Sequence, residues 1–271
     1  MNEAVLEPWT YWTEPERVDV SGVPTAYRRK GSGEPLLYLH GAGLTRRWLP
    51  LYEELSQSFD VIVPEHLGFG DTPMPEWLSS FDDMVLHYAE LLDQLAVGPA
   101  HVVGHSLGGW IAAEFACFYP ERVRSLTLIT PIGLRGALKA DVFRLSPEDA
   151  SEVLFNGQPE RYAEYLEGGD QVDNIVHDYG ERITMARLMW NPRYSIKLER
   201  RLQRVGAPAT IVLPDDDRLI NHDVAARYAE HLPNGEIVTV SGDDAPTGHL
   251  LIVQEPRKVA DVVADTAAKA E

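Results

Sequence analysis

The seven residues 104–110, Gly-His-Ser-Leu-Gly-Gly-Trp, place one serine between glycines at the end of an apolar run. The pattern of residues 100–103 predicts a short buried strand, and that of residues 110–116 predicts a helix with an apolar face. A turn this tight crowds Cβ atoms, so we expect glycine on both sides and a strained backbone at Ser106. The hydroxyl would then stand at a helix N-terminus, where unpaired N–H groups and the helix dipole favour an oxyanion. The spacing therefore indicates a nucleophilic serine rather than a merely structural turn.

A serine at its ordinary pKa is a weak nucleophile, and it needs a base that a carboxylate holds in the correct tautomer. His249 is a candidate base, because it follows a strand-like run at residues 236–240. Another buried run at residues 209–213 is followed by Pro214 and then by the acidic run 215–217, Asp-Asp-Asp. Parallel strands end at the same edge of a sheet, so the histidine and one of these acids can meet Ser106 there.

The chain order of serine, acid and histidine resembles that of the α/β-hydrolase superfamily, in particular its serine-nucleophile members with a helical cap. The resemblance extends over nearly the whole chain. In the family the acid precedes a basic or small residue and two aliphatic residues, and Asp217 stands in that place before Arg-Leu-Ile at 218–220. Leu-Pro at 213–214 replaces the usual Trp-Gly-like pair, and Asp216 is the alternative acid. Residues 129–133, where some members carry the acid, hold no carboxylate, which favours Asp217. We expect the acid that meets the histidine to stay ionised and its neighbours to be solvated.

A second resemblance to the family lies at residues 34–43, a hydrophobic strand that runs into a His-Gly turn. The family's His-Gly-x-x loop offers the main-chain N–H of the residue after His-Gly, which here is Ala42. Its partner would be the N–H of Leu107, directly after the serine, and Gly43 would border the substrate pocket. The resemblance thus implies an oxyanion hole made of two backbone N–H groups, with His40 a structural residue of the loop.

The composition narrows the class of partner. The chain has 271 residues, with 24 Lys and Arg against 42 Asp and Glu, for a formal net charge of −18. Such a surface repels phosphate backbones and anionic lipid, so we expect neither nucleic acid nor membrane as a partner. Residues 1–7 are acidic and lack the features of a signal peptide, which favours a cytoplasmic protein. A small-molecule substrate is the expected partner, and the oligomeric state stays open.

The sequence predicts chemistry without a metal or an organic cofactor. The nine histidines are scattered and show no metal-binding spacing, and the single cysteine, Cys117, cannot form an internal disulfide. The His-Gly turn at residues 40–43 lacks the later glycine and the acid of a dinucleotide fingerprint.

Strand and helix patterns alternate along most of the chain, which predicts an α/β fold with a mostly parallel, twisted sheet flanked by helices. An antiparallel hairpin of residues 17–20 and 25–28 would form one edge. We expect helices over 46–58, 80–95, 107–119, 221–232 and 255–268. The strands and these helices define a core of residues 1–131 and 205–271.

The alternation lapses over residues 132–204, which we interpret as a helical cap inserted in the core. Helix starts near Ser146 and Gln158 and a helical pattern over 181–190 support this interpretation. Most apolar residues of the cap must pack against each other or the core. Met189 and Trp190 are its candidate pocket residues, because they lie near the cap's return to the core. Such a lid excludes water and shapes substrate choice.

These observations predict a cofactor-independent serine hydrolase, acting through an acyl-enzyme on a small, moderately hydrophobic ester or related acyl compound. One alternative is a C–C bond hydrolase of ring-fission products, although such members tend to carry an aromatic residue soon after the histidine, where this chain has Leu250 and Leu251. Non-hydrolytic lyases and ligand receptors use the same fold and stay open. A haloalkane dehalogenase or epoxide hydrolase would need an aspartate in place of Ser106.

Overall fold

Short runs rich in branched and aromatic residues form one sheet at the centre of the molecule. The computed structural model describes residues 13–136, 138–165 and 171–270, and the N-terminal residues 1–7 discussed above lie outside them. Within the described residues the sheet has eight strands in the order β1-β2-β4-β3-β5-β6-β7-β8. Their bounds are β1 Glu16–Val20, β2 Val23–Lys30, β3 Glu34–Leu39, β4 Phe59–Pro64, β5 Ala100–His105, β6 Val123–Ile129, β7 Ala209–Pro214 and β8 Gly235–Val240.

The predicted antiparallel hairpin forms one edge of the sheet. β1 pairs with β2 through a two-residue turn in which Ser21 and Gly22 both have positive φ, the geometry that suits the twist of a hairpin. β2 also runs antiparallel to β4, whereas all pairings from β4 to β8 are parallel. The predicted α/β class with a mostly parallel sheet is confirmed.

Helices cover both faces of the sheet. They are α1 Pro50–Leu55, α2 Phe81–Gln94, α3 Leu107–Phe118, α4 Pro147–Leu154, α5 Gln171–Met189, α6 Leu198–Leu202, α7 Asp223–His231, α8 Leu251–Gln254 and α9 Pro256–Ala268, with 3₁₀ turns at Pro120–Arg122 and Pro159–Tyr165. Side chains of α2, α3, α6 and α7 share one apolar cluster with the sheet, and those of α1, α8 and α9 share the other. Alternate residues of the central strands enter opposite clusters, as with Val102 and Val103 of β5.

Two helix starts show how local chemistry sets the boundaries. Ser80 caps α2, where its hydroxyl accepts from the N–H of Asp83 and the Asp83 carboxylate accepts from the N–H of Ser80. α1 was predicted from residue 46 but begins only at Pro50. Proline suits the first helical turn and forces the residue before it, Leu49, into an extended conformation. In addition, Arg46 has φ +70°, outside the helical region.

Within the expected cap region, 132–204, the described residues form α4, one 3₁₀ turn, α5 and α6, and they also include loops such as 138–146 and 190–197. α5 begins at Gln171, ten residues before the predicted helix at 181–190. α6 packs against α3 and α7, so it lies in a helical layer of the core rather than over the carboxyl edge of the sheet. No helix among the described residues is both long and apolar enough to cross a membrane.

Four of the six buried histidines among the described residues have a lowered pKa. Burial lowers the pKa of His40 and of His87 to about 4 and that of His105 to about 3, and it lowers the pKa of His66 well below its ordinary value. The folded protein therefore keeps these rings neutral at pH values where an unfolded chain would protonate them.

We expect the protein to lose stability at acidic pH, because these four histidines bind protons more readily in the unfolded chain than in the folded protein. Because their folded pKa lies below the ordinary 6.5, the unfolded chain binds more protons as the pH falls from 6.5 toward 4, and stability is lost in that window. Replacing His87, which bonds Thr25 through its Nε2, with Gln removes one such ring. The free energy of unfolding in urea should then fall about 1 kcal/mol less between pH 7.5 and pH 5.5 than in the wild type. Equal falls in the two proteins would contradict this assignment.

Candidate active site

Ser106 lies at the tight turn between β5 and α3. Its backbone has φ 54° and ψ −112°, a positive-φ conformation that costs about 1–3 kcal/mol for a residue with a side chain. The neighbouring strand β6 holds it there, because the N–H of Ser106 donates to the carbonyl of Ile129 at 2.9 Å. This turn points the hydroxyl into a cavity at the carboxyl edge of the sheet.

The two flanking glycines let the turn pack against its surroundings. A Cβ on Gly104 would overlap the carbonyl oxygen of Gly108, and a Cβ on Gly108 would overlap the carbonyl oxygen of Leu39. The first contact closes the turn on itself, and the second packs the start of α3 against the end of β3. The local sequence therefore adopts this shape because neither position carries a side chain.

His249 and Asp217 reach Ser106 from two other loops at the same edge. The Ser106 hydroxyl donates to Nε2 of His249 at 2.9 Å, and Nδ1–H of His249 donates to Oδ2 of Asp217 at 2.8 Å. Both His249 and Asp217 are at most 2% exposed. The carboxylate only accepts, so it selects the tautomer of His249 that presents a free acceptor to the serine.

Asp217 is held as a carboxylate in spite of its burial. Burial alone raises its pKa, but the His249 ring and two backbone N–H donors favour the charged form more strongly, and its pKa lies below the ordinary value. Those donors are Leu219 at 2.8 Å and Ile220 at 2.9 Å, both to Oδ1. Oδ2 of Asp217 thus faces His249, while Oδ1 accepts both backbone hydrogen bonds.

The two neighbouring acids lie outside this arrangement. Asp216 is half exposed, with its carboxylate 3.6 Å from Nζ of Lys139 and 3.8 Å from Nε of Arg218. Asp215, which we expected to be simply solvated, instead accepts hydrogen bonds from the N–H groups of Gly242 and Thr247, both at 3.0 Å. It therefore braces the loop that carries His249.

The expected oxyanion loop lies beside the nucleophile turn. Ala42, Gly43 and Leu107 line the same cavity as Ser106 and His249. Leu107 is the first residue of α3, so its N–H has no acceptor within the helix. The structure thus brings together the residues that an oxyanion hole of Ala42 and Leu107 would need.

The cavity has a volume of about 150 Å³, and its walls are mostly aliphatic. Residues at the carboxyl edge of the sheet and residues of the region 132–204 both contribute to the walls. Besides Ala42 and Leu107, the aliphatic residues that line it are Ile132, Leu138, Val142, Leu145, Ala150, Leu154, Met185, Met189, Leu219 and Leu250. The charged residues that line it are Asp178, Glu181 and Arg182, all on α5.

The structure separates the two cap residues expected in the pocket. Met189 lines the cavity and is buried, whereas Trp190 does not line it and is 60% exposed. Trp190 packs instead on the ring of Phe143 and under the guanidinium of Arg193. The expectation for Trp190 is therefore corrected. α5 ends at Met189, and neighbouring residues at a helix end point in different directions.

Sequence reasoning missed two polar groups of the cavity. His105 lies under the nucleophile turn, and its Nε2–H donates to the carbonyl of His249 at 3.1 Å. Glu181, which the sequence marked only as the start of a helix, is buried and accepts a hydrogen bond from the N–H of Gly43 at 3.0 Å. Burial raises the pKa of Glu181 to about 7. Nothing in the local pattern distinguishes it from an exposed helical glutamate.

No metal ligand set can be assigned in the described part of the chain, where no three His, Cys, Asp or Glu side chains are grouped so as to hold an ion.

Comparison with known proteins identifies the family. The family model described as alpha/beta hydrolase fold matches residues 34–256. Because that match covers most of the chain, the protein belongs to the α/β hydrolase fold family. The family expected from the sequence is confirmed.

Individual relatives carry several hydrolase names. The chain is 28% identical over 233 residues to the "Putative carbamate hydrolase RutD" of Azorhizobium caulinodans, covering 79% of this chain and 85% of that protein. It is 34% identical over 118 residues to the 2-hydroxy-6-oxo-2,4-heptadienoate hydrolase of Pseudomonas putida, covering 42% of this chain and 43% of that one.

Other similarities are shorter or extend to the fold alone. Identity to the dihydrolipoyllysine-residue acetyltransferase component of the acetoin cleaving system of Cupriavidus necator is 34% over 124 residues, covering 45% of this chain and 33% of that protein. A meta-cleavage product hydrolase of Pseudomonas fluorescens superposes with a TM-score of 0.78 at 20% identity, covering 94% of this chain and 98% of that one. At that identity the likeness shows the shared fold.

The close packing of the turn at Ser106 can be tested by a substitution that adds one methyl group at Gly108. Gly108→Ala should lower the free energy of unfolding by about 2 kcal/mol or more, because the added Cβ would overlap the backbone of β3. Gly98→Ala is the matched control, since no atom lies within 4 Å of its added Cβ, and it should change stability by less than about 0.5 kcal/mol. Urea unfolding of the three proteins measures both effects, and equal stabilities would refute the close approach.

Proposed function

We propose that this protein is a serine hydrolase that cleaves small, moderately hydrophobic esters or related acyl compounds through an acyl-enzyme. Membership of the α/β hydrolase fold family supports an enzyme of the hydrolase class. The observation that carries the proposal is the unbroken line of hydrogen bonds from Ser106 through His249 to Asp217, with distances of 2.9 Å and 2.8 Å. This is the arrangement that activates a serine hydroxyl as a nucleophile.

In the proposed reaction, His249 Nε2 takes the proton of Ser106 as the oxygen attacks the substrate carbonyl. The tetrahedral oxyanion accepts hydrogen bonds from the N–H groups of Ala42 and Leu107. As the intermediate collapses, His249 returns the proton to the leaving group. A water molecule then gives its proton to His249, attacks the acyl-enzyme and releases the acid, which leaves Ser106 protonated again.

The position of Asp217 supports this cycle electrostatically. His249 becomes positively charged twice during turnover, and a buried carboxylate at 2.8 Å stabilises that charge more than water would. The lowered pKa of Asp217 keeps it ionised at neutral pH. Asp216 is a poorer choice for this role, since the structure directs it toward Lys139 and Arg218 rather than toward the imidazole.

The cavity supports the choice of substrate class. Its aliphatic walls suit an apolar acyl group. The relative named as a carbamate hydrolase would attack a carbonyl of the same kind, which agrees with carbonyl chemistry at this site.

A C–C bond hydrolase of ring-fission products is the second candidate, because one relative is named a 2-hydroxy-6-oxo-2,4-heptadienoate hydrolase. Such substrates carry a carboxylate. Among the charged residues on α5 that line the cavity, two are acids, and the one cation, Arg182, already donates through Nε to Asp178 at 2.9 Å. The cavity therefore favours a neutral ester over an anionic dienoate.

The nucleophile is tested by labelling with a fluorophosphonate probe. We expect the probe to modify Ser106 in the wild type, to leave Ser106→Ala unlabelled and to label His249→Ala far more slowly. Turnover of a short-chain p-nitrophenyl ester should fall by about three or more orders of magnitude in both variants, with the fold intact by circular dichroism. Equal labelling of wild type and His249→Ala would contradict the proposal, and labelling without release of p-nitrophenol would indicate a receptor.

The same assay separates the two substrate classes. A series of p-nitrophenyl esters of increasing chain length should show the highest kcat/KM among the short acyl groups. A ring-fission dienoate should be turned over more slowly than these esters. A higher kcat/KM for the dienoate would favour the C–C hydrolase.

The identity of the acid is tested by two matched substitutions. Asp217→Asn should lower kcat by about four orders of magnitude, because an amide no longer selects the tautomer of His249 that accepts from Ser106. Asp216→Asn makes the same chemical change one residue away and should alter kcat by less than about threefold. A larger loss in Asp216→Asn would reassign the acid.

A further inference from the structure

Glu181 of the cap helix α5 contacts the loop proposed to hold the oxyanion. Its side chain is 6% exposed and lines the cavity that contains Ser106 and His249. Oε2 accepts the N–H of Gly43 at 3.0 Å, and Gly43 directly follows Ala42. A buried acid of the cap is thus bonded to the backbone one residue away from a proposed oxyanion donor.

The geometry of the loop makes this contact an anchor. Gly43 has φ +93°, in the left-handed region that favours glycine, and a Cβ there would meet no atom within 4 Å, so side-chain packing at Gly43 does not hold the loop. The peptide group between Ala42 and Gly43 is planar, so fixing its N–H fixes the whole unit. Only the two backbone torsions of Ala42 then separate this fixed unit from the Ala42 N–H.

Charged groups surround Glu181 on several sides. Arg47 follows the loop and is buried, and Asp178 and Arg182 lie on the same helix, paired with each other at 2.9 Å. Glu65, at the end of β4, is paired with Arg28 at 2.7 Å. His105 and His249 contribute to other walls of the cavity.

These surroundings allow Glu181 to change its charge near neutral pH. Burial is the main cause that raises its pKa to about 7, and the charges of Asp178 and Glu65 add to the effect. Hydrogen bonds from the Thr45 hydroxyl and from the Gly43 N–H act in the opposite direction, because they favour the carboxylate. An ionised carboxylate accepts a stronger hydrogen bond than a neutral carboxyl group.

We propose that Glu181 is a positioning residue by which the cap orients the oxyanion loop, through the hydrogen bond from the Gly43 N–H. This inference rests on the proposed function. The acid does not touch the reacting atoms and acts through Ala42. The hydrogen bond is made within the protein itself, so the orientation of the oxyanion loop depends on this residue of α5 before any substrate binds.

Two substitutions separate this role from simple packing. Glu181→Leu fills the space without an acceptor and should slow both kcat for a short-chain ester and the maximal rate of fluorophosphonate labelling by about tenfold or more. That loss is smaller than the 10² to 10³ typical of deleting an oxyanion donor, because the donor remains but is less well oriented. KM should change by less than about threefold. Glu181→Gln keeps an acceptor and should recover most of the rate.

The control variant is Glu152→Gln, which replaces an exposed acid of cap helix α4 outside the cavity lining. It should leave kcat and KM unchanged. Folding of every variant is checked by thermal unfolding, and a Glu181→Leu protein that unfolds is replaced by Glu181→Met.

The pH dependence supplies a readout that does not require turnover. In the wild type the amide resonance of Gly43 should titrate with a midpoint near pH 7, and in Glu181→Gln this titration should be lost. Because the folded pKa lies above the ordinary value of 4.5, Glu181 makes the wild type less stable as the pH rises from 4.5 to 7. The Tm of Glu181→Gln relative to wild type should therefore increase over that range.

The outcomes distinguish this inference from the proposed function. No labelling of Ser106 in the wild type would refute the serine hydrolase, whatever Gly43 does. Labelling of Ser106 at equal maximal rates in wild type and Glu181→Leu would overturn the positioning role alone. A Gly43 resonance that does not respond to Glu181→Gln would overturn it as well.

Discussion

The hydrogen bond between the Ser106 hydroxyl and Nε2 of His249 is the interaction on which the site depends, and it joins residues 143 positions apart in the chain. The sheet makes the contact possible. Ser106 follows β5, Asp217 follows β7 and His249 follows β8, and the parallel pairing of these strands through β6 brings their ends to one edge. A register shift in any of these pairs would move the three side chains apart.

Several features of the surrounding structure hold Ser106 and His249 in hydrogen-bonding distance. The positive φ of Ser106 stores strain, and the bond to Ile129 and the close packing of Gly108 on β3 maintain it. Asp215 braces the loop of His249 from below. Helix α5 lines the cavity, and its Glu181 reaches the loop that carries Ala42 and Gly43. Elements far apart in the chain therefore all contribute to the surroundings of Ser106 and His249.

The sequence was most informative where a function depends on local backbone chemistry. The glycines around Ser106 mark the end of β5, and the acidic run 215–217 marks the end of β7. Ser106 and Asp217 could therefore be named from the sequence before the structure brought them together through His249. The capping box at Ser80 was equally readable, because its signal lies within four residues. These features need no knowledge of what packs against them.

The rest could not be predicted, because it depends on tertiary contacts. α5 begins ten residues before the predicted start. In this additional part the apolar residues Ile175, Val176 and Tyr179 are exposed, so the sequence there shows no apolar face that would predict a helix. Met189 and Trp190 are adjacent and equally apolar, yet only the packing of Trp190 on Phe143 decides which one faces the cavity. Glu181 looks like a surface glutamate until Gly43, 138 positions away, is placed beside it.

The most direct test of the central claim is a crystal structure of the protein after reaction with the fluorophosphonate. The account predicts phosphorus bonded to Oγ of Ser106, with the phosphoryl oxygen about 3 Å from the backbone nitrogens of both Ala42 and Leu107. His249 should remain bonded to Asp217. A phosphoryl oxygen directed away from both nitrogens, or an adduct on another residue, would contradict it.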